Sequence, residues 1–116
     1  MRKKEARKSV RVNAQLFISY DILDKEGKVV QAGMALSEDL SRSGVKIKDR
    51  SQLPVDTTVK IHLAVGDEVV DLNGKVRHVE KVSGNNYHIG VEFSNVDTAL
   101  LKKLAKNYPE ILQKKK

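Results

Sequence analysis

The feature that most constrains this fold is a two-residue hydrophobic period that runs through most of the chain. Apolar and polar side chains alternate from Val12 to Tyr20, from Val59 to Val65 and again from Tyr87 to Phe93. A period of two is typical of β-strands whose two faces meet different surroundings. The pattern therefore predicts an all-β fold with its apolar faces packed together.

Short turn sequences separate these runs. Asp24 to Lys28, Gly66-Asp67 and Ser83 to Asn86 combine glycine with small polar residues, as tight connections between strands do. About six strands result. Since the connections are short, we predict a six-stranded antiparallel β-barrel.

The second strand carries apolar residues at every second position from Val30 to Leu36, and Leu40 has the same parity. We therefore expect Leu40 to continue that apolar face. Asp39 and Ser41 would then project together from the opposite, outward face.

The period changes near the end of the chain. Ser94 to Asp97 offers N-cap residues, the apolar residues from Leu100 to Tyr108 fall at helical spacing, and Pro109 should end the helix. Ile111 and Leu112, beyond the proline, are expected to be available to a partner. The chain is thus read as one domain, 1–116, with a basic N-terminal arm (1–11), a barrel (12–93), and a C-terminal helix with a basic tail (94–116).

Charge is concentrated at the two ends. The net charge is +7, and residues 1–11 and 102–116 each contribute +5, whereas the remainder carries −3. The ends could attract an anion to a mildly acidic body. The chain has no cysteine, no signal-peptide pattern and no run of roughly 20 apolar residues, so we expect a cytoplasmic protein without membrane insertion.

Two motifs carry candidate chemistry. Arg7 and Arg11 are four residues apart and would face the same way in a strand or a helix. A guanidinium can hold a phosphate or the O6/N7 edge of guanine with two parallel hydrogen bonds, and it can stack on a base. The alternative is a solvated basic tail.

The second motif is the segment from Asp39 through Ser41 to Gly44. A carboxylate and a hydroxyl side by side can recognise the polar edge of guanine, and Gly44 permits a backbone geometry that other residues resist. The alternative is ordinary turn chemistry, because Asp, Ser and Gly are frequent turn residues.

Together the motifs resemble the RxxxR and [D/N]xSxxG signatures of the PilZ domain family, bacterial receptors for cyclic di-GMP. The run from Tyr87 to Phe93 followed by a helix is also similar to the end of PilZ domains. The resemblance implies that Arg7 and Arg11 contact phosphate and guanine, while Asp39, Ser41 and Gly44 line the base site.

The chain departs from the family pattern at two places. Many members have an arginine doublet where this chain has Ala6-Arg7, so Lys4 or Lys8 would have to supply the missing cation. The family's aromatic residue on the fifth strand corresponds to His78. Lys8, Arg42 and His78 are therefore additional candidate contacts.

Other function classes compete with this interpretation. The sequence has no cysteine nucleophile, P-loop, GxSxG elbow or closely paired histidines, so we expect neither an enzyme nor a metal or cofactor site. Five aromatic residues, mostly on apolar faces, leave little to stack on DNA or RNA. A PilZ-fold interaction module without ligand remains the main alternative. As a receptor, the protein would signal to a downstream protein partner by ordering its arm over the ligand.

Overall fold

The computed structural model describes residues 10–50, 52–94 and 96–112. Seven strands, one α-helix and a terminal 3-10 helix make up its regular structure. In chain order these are β1 (Val12–Asn13), β2 (Phe17–Leu23), β3 (Val29–Leu40), β4 (Gly44–Asp49), β5 (Thr58–Val65), β6 (Glu68–Lys81), β7 (Tyr87–Ser94), α1 (Thr98–Asn107) and the 3-10 helix (Pro109–Leu112).

The strands form one closed antiparallel sheet. β2 pairs with β3 and β5, β6 lies between β5 and β7, and β4 joins β7 to β3 and so closes the ring. β1 lies along the same edge of β3 as β2, so the two behave as one interrupted strand. The predicted six-stranded antiparallel barrel with a C-terminal helix is confirmed.

A buried serine bridges the interruption between β1 and β2. The hydroxyl of Ser37 on β3 accepts a hydrogen bond from the Leu16 N–H at 2.8 Å and donates one to the Ala14 carbonyl. These two backbone groups would otherwise lack sheet partners at the break. Ser37 therefore holds the start of the barrel, including the residues just after the basic arm, against β3.

The barrel interior is filled by aliphatic side chains from the strands and the helix. Burying one such side chain is worth about 1.5–3 kcal/mol, more than an exposed ion pair contributes, so this core dominates stability. The largest fully buried side chains include Ile18, Leu40, Ile47, Ile61, Leu63, Leu72, Ile89, Leu104 and Ile111.

The prediction of which β3 side chains face the barrel interior is wrong in one respect. Val30, Met34 and Leu36 are exposed on the outside of the barrel, whereas Leu40 is fully buried inside it. A β-bulge between Ser37 and Asp39 adds one residue to β3 and reverses which parity faces inward. Asp39 does face outward, but for this reason rather than by continued alternation.

The C-terminal helix begins and ends as predicted. The Asp97 side chain caps α1 by accepting a hydrogen bond from the Leu100 N–H at 2.9 Å, and Tyr108 ends the helix before Pro109. The expectation for Ile111 is wrong: its side chain is fully buried against the barrel core, and only Leu112 is exposed. Among the described residues, no helix combines the length and apolar character needed to cross a membrane.

Candidate functional site

An open cleft of about 430 Å³ lies on the outer surface of the barrel. It crosses β4, β7 and β6 and reaches the bulged end of β3. Its lining comprises Arg11, Asp39, Ser41, Ser43, Gly44, Val45, Lys46, Arg77, His78, Glu80, His88, Gly90, Val91 and Glu92.

The structure brings five of the predicted residues together at this cleft. Arg11, Asp39, Ser41, Gly44 and His78 all line it, although 67 positions separate the first from the last. Of the remaining candidates, Arg42 lies in the turn after β3 but is not part of the lining. Arg7 and Lys8 are outside the described residues, so their placement stays a prediction.

Asp39 is the electrostatic centre of one side of the cleft. The Arg11 Nη1 lies 3.1 Å from Asp39 Oδ1, and the Lys46 Nζ lies 3.8 Å from Oδ2. The Asp39 side chain is only 19% exposed, whereas that of Arg11 is 53% exposed. Asp39 thus holds two cations beside each other at the surface. Exposed ion pairs contribute at most about 1 kcal/mol, so an incoming anion could compete for them.

Ser41 stabilises the turn that follows β3. Its buried hydroxyl oxygen accepts hydrogen bonds from the Ser43 and Gly44 N–H groups, each at 3.2 Å, and the Ser41 N–H donates to the Gly44 carbonyl at 2.9 Å. Of the two interpretations left open by the sequence, the structure shows the turn chemistry for Ser41. Within the motif, the charged group that faces the cleft is Asp39.

Gly44 is required for space rather than for an unusual backbone angle. Its φ is not positive, unlike that of Gly27, Gly66 and Gly84. A Cβ on Gly44 would instead collide with the backbone carbonyl of Val91 on β7. The expected special backbone geometry is therefore wrong. The glycine allows the turn to pack tightly against β7, where the Phe93 N–H donates to the Ser43 carbonyl at 2.9 Å.

A second bulge shapes the opposite side of the cleft. The pairing of β6 with β7 shifts between Val76 and His78, so Arg77 is an extra residue and both Arg77 and His78 face outward. Arg77 Nε donates to Glu92 Oε1 at 2.8 Å and Nη1 donates to Asp56 Oδ1 at 2.9 Å. The hydrogen bond to Glu92 is the main reason that the pKa of Arg77 is raised.

The imidazole of His78 offers a flat surface at the mouth of the cleft. Its side chain is 69% exposed, and its Nε2 lies 3.8 Å from Glu80 Oε1. Between His78 and Lys46 lies Gly90, which pairs with both across the sheet. Because Gly90 has no side chain, the floor between these two residues stays open.

Sequence reasoning missed several polar lining residues, namely Ser43, Lys46, Arg77, Glu80, His88 and Glu92. Arg77 could have been found, because the apolar parity of β6 switches between Val76 and Val79 and such a switch indicates a bulge. Lys46 and His88 give no comparable signal. His88 pairs with Glu38 at the bulge of β3, with Nε2 at 3.1 Å from Oε1.

The formal charges of the described lining residues cancel. Arg11, Lys46 and Arg77 face Asp39, Glu80 and Glu92. Within the described residues, no cluster of His, Asp and Glu could hold a metal ion. The cleft can therefore offer guanidinium donors, a carboxylate acceptor and a flat ring to a polar, planar ligand.

Comparisons with known proteins agree on one family. A family model of the PilZ domain matches residues 5–108. No curated protein matches the chain.

Solved structures share the fold. The inhibitor of motility MotI/DgrA of Bacillus subtilis superposes with a TM-score of 0.68 at 15% identity, over 91% of this chain and 51% of that one. The chain thus spans about half the length of that protein. The PilZ domain of YcgR from Escherichia coli, solved with c-di-GMP, gives 0.67 at 14% identity, over 90% of both chains. The PilZ domain of CeSA from a cellulose-synthesizing bacterium gives 0.60 at 19% identity, over 87% of this chain and 97% of that one.

Proposed function

Because the chain belongs to the PilZ domain family, we propose that it is a receptor for cyclic di-GMP and binds this ligand at the cleft described above. The observation that carries the proposal is the contact between Arg11 and Asp39. This contact unites one residue from each of the two ligand motifs at one place, although 28 positions separate them. The PilZ domain of YcgR, which was solved with c-di-GMP, supports the choice of ligand.

The cleft chemistry suits a cyclic dinucleotide with two phosphates and two guanines. Arg11 has five N–H donors and gives one to Asp39 in the structure, so it can turn others toward a phosphate or a guanine edge. Asp39 would then accept from the N1–H and N2–H groups of a guanine, as carboxylates readily do. His78 would offer its ring for stacking.

Arg7 would bring a second guanidinium to the ligand from the N-terminal arm. Since the described lining has no net charge, the attraction for a dianion must come from such additional cations. Arm residues 2–8 include five basic side chains against Glu5. Lys8 would be a further phosphate contact, and Arg42 would stay peripheral.

Closure of the N-terminal arm over the ligand would also produce the signal. When the arm closes over the nucleotide, arm and ligand together form a surface that is absent without ligand, and a downstream protein partner would bind there. The absence of cysteine is consistent with action in a reducing cytoplasm.

Calorimetric titration with cyclic di-GMP tests the receptor function. We expect saturable binding that is lost in the Arg7→Ala/Arg11→Ala double variant, because each bidentate guanidinium contact is worth about 1–3 kcal/mol. GTP serves as the specificity control. A Lys25→Ala/Arg50→Ala double variant is matched in charge but changes residues outside the cleft lining, and it should bind as the wild type does.

The absence of heat at high micromolar ligand, from folded protein, would contradict the proposal. The chain would then be a ligand-independent PilZ interaction module. Binding that survives in the double variant would leave a receptor but would place its site elsewhere.

A further inference from the structure

Part of one edge of β3 has no neighbour in the described part of the chain. β2 pairs with β3 from Val29 to Leu36, but β4 pairs with it only from Leu36 to Leu40. The other edge of β3 is therefore open between residues 29 and 35. An open edge presents unpaired N–H and C=O groups that can pair with another strand.

The hydrogen-bond alternation along β3 shows which residues supply these groups. The Ser37 N–H donates to the Leu16 carbonyl at 2.9 Å, toward the β1–β2 side. In an antiparallel strand, successive residues direct their backbone groups to opposite edges. Counting back in steps of two from Leu36, the backbone groups of Met34 and Ala32 point to the open edge, and a bulge at Val30 interrupts the alternation beyond them.

The side chains of these three residues form an exposed apolar strip. The Met34 side chain is 71% exposed, and Val30 and Ala32 are exposed as well. Phe17 on β2, next to this strip, is 73% exposed. No charged residue occurs from Val29 to Ser37, although 32% of the whole chain is charged. Charges and prolines normally protect such an edge, and this edge has neither.

We propose that the open edge of β3 pairs with the same edge of a second copy of this chain. An antiparallel pairing around a two-fold axis at Ala32 places Ala32 opposite its own copy and Val30 opposite Met34 of the second copy. Ala32 and Met34 direct their backbone groups to the partner in this register, so main-chain hydrogen bonds can join the two chains around the axis. The segment is self-complementary, as a two-fold dimer requires, so a second copy fits it without any like-charge contact.

This dimer would leave the ligand cleft accessible. Asp39 is seven residues further along β3 than Ala32, and at about 3.3 Å per residue this places it roughly 23 Å from the two-fold axis. The proposal therefore does not depend on cyclic di-GMP binding. It adds an assembly in which the two clefts lie on opposite sides of the two-fold axis.

Sedimentation equilibrium of the full chain tests the proposal without ligand. We expect concentration-dependent association to twice the chain mass. Ala32→Lys and Ala32→Glu each place like charges opposite each other at the axis, which destabilises antiparallel pairs, so each should raise the dissociation constant several-fold. An equimolar mixture of the two variants should associate at least as tightly as the wild type, because opposite charges then face each other.

Ala64→Lys provides the matched control, since Ala64 is exposed on β5, away from the open edge, and should leave association unchanged. A wild type that sediments as a monomer at every concentration would overturn the proposal. Association that Ala32→Lys does not weaken, or a variant mixture that fails to associate, would overturn the assigned interface.

Discussion

Gly44 has no room for a side chain, because a Cβ would meet the Val91 carbonyl of the neighbouring strand. We predict that Gly44→Ala lowers the free energy of unfolding by about 1–3 kcal/mol, as overpacking typically does. Gly90→Ala is the control: its Cβ would lie 3.4 Å from the His78 Cβ, near ordinary contact distance. Urea denaturation of both variants measures the difference. Equal stabilities would show that the turn can move away from β7.

The structural role of Gly44 differs from that of Asp39, although both belong to one motif. Gly44 and Ser41 shape the turn, whereas Asp39 faces the cleft and holds Arg11 and Lys46. Spacing alone indicated that the motif residues are neighbours. It could not separate residues that form the turn from residues whose charge faces the cleft, because Asp, Ser and Gly suit both.

At the scale of elements, the strands were predictable but their bulges were not. The two-residue period identifies β2, β5 and β7 because one parity faces inward along each of them. β3 and β6 each contain a bulge beside the cleft, and each bulge reverses the inward parity. The sequence therefore predicted the barrel, yet it assigned the wrong face to Val30 through Leu36 and left Arg77 out of the site.

A histidine joins three neighbouring strands on another part of the outer surface. His62 on β5 contacts Asp71 on β6 through Nδ1 at 2.7 Å and Asp21 on β2 through Nε2 at 3.0 Å. The hydrogen bond to Asp71, followed by that to Asp21, raises the pKa of His62 above its usual value near 6.5. Protonated His62 therefore stabilises the folded barrel.

The sign of the pH effect follows from this raised pKa. The stabilisation is fully present below the unfolded pKa and is lost as the pH rises through the folded one. Between pH 6 and pH 9 we predict that the wild type loses up to about 1 kcal/mol of stability relative to His62→Gln. Thermal or urea unfolding at several pH values measures it. A His62→Gln profile parallel to the wild type would contradict the prediction.

In the whole molecule, the positive charge lies mainly at the ends of the chain and not in the described cleft lining. This separation bears on how an anionic ligand would be attracted. The described cleft lining is formally neutral, while the basic residues concentrate at the two ends of the chain. Residues 1–11 and 102–116 carry the same net charge, but only the N-terminal segment contains the RxxxR motif, whose Arg11 pairs with Asp39. If positive charge alone attracted the anion, both ends of the chain would interact with it. If the RxxxR motif closed over the ligand, only the N-terminal end would do so.

Hydrogen exchange with mass readout distinguishes these two possibilities. On adding cyclic di-GMP, we predict slower exchange of the backbone amides in residues 2–11, because the arm closes over the nucleotide and its amides gain partners. The basic C-terminal segment, residues 102–116, should exchange at an unchanged rate and is the internal control. Arg11→Ala should abolish the protection of the arm. Equal protection of both ends would indicate non-specific attraction, and binding without protection of the arm would mean that the ligand is held by the barrel surface alone.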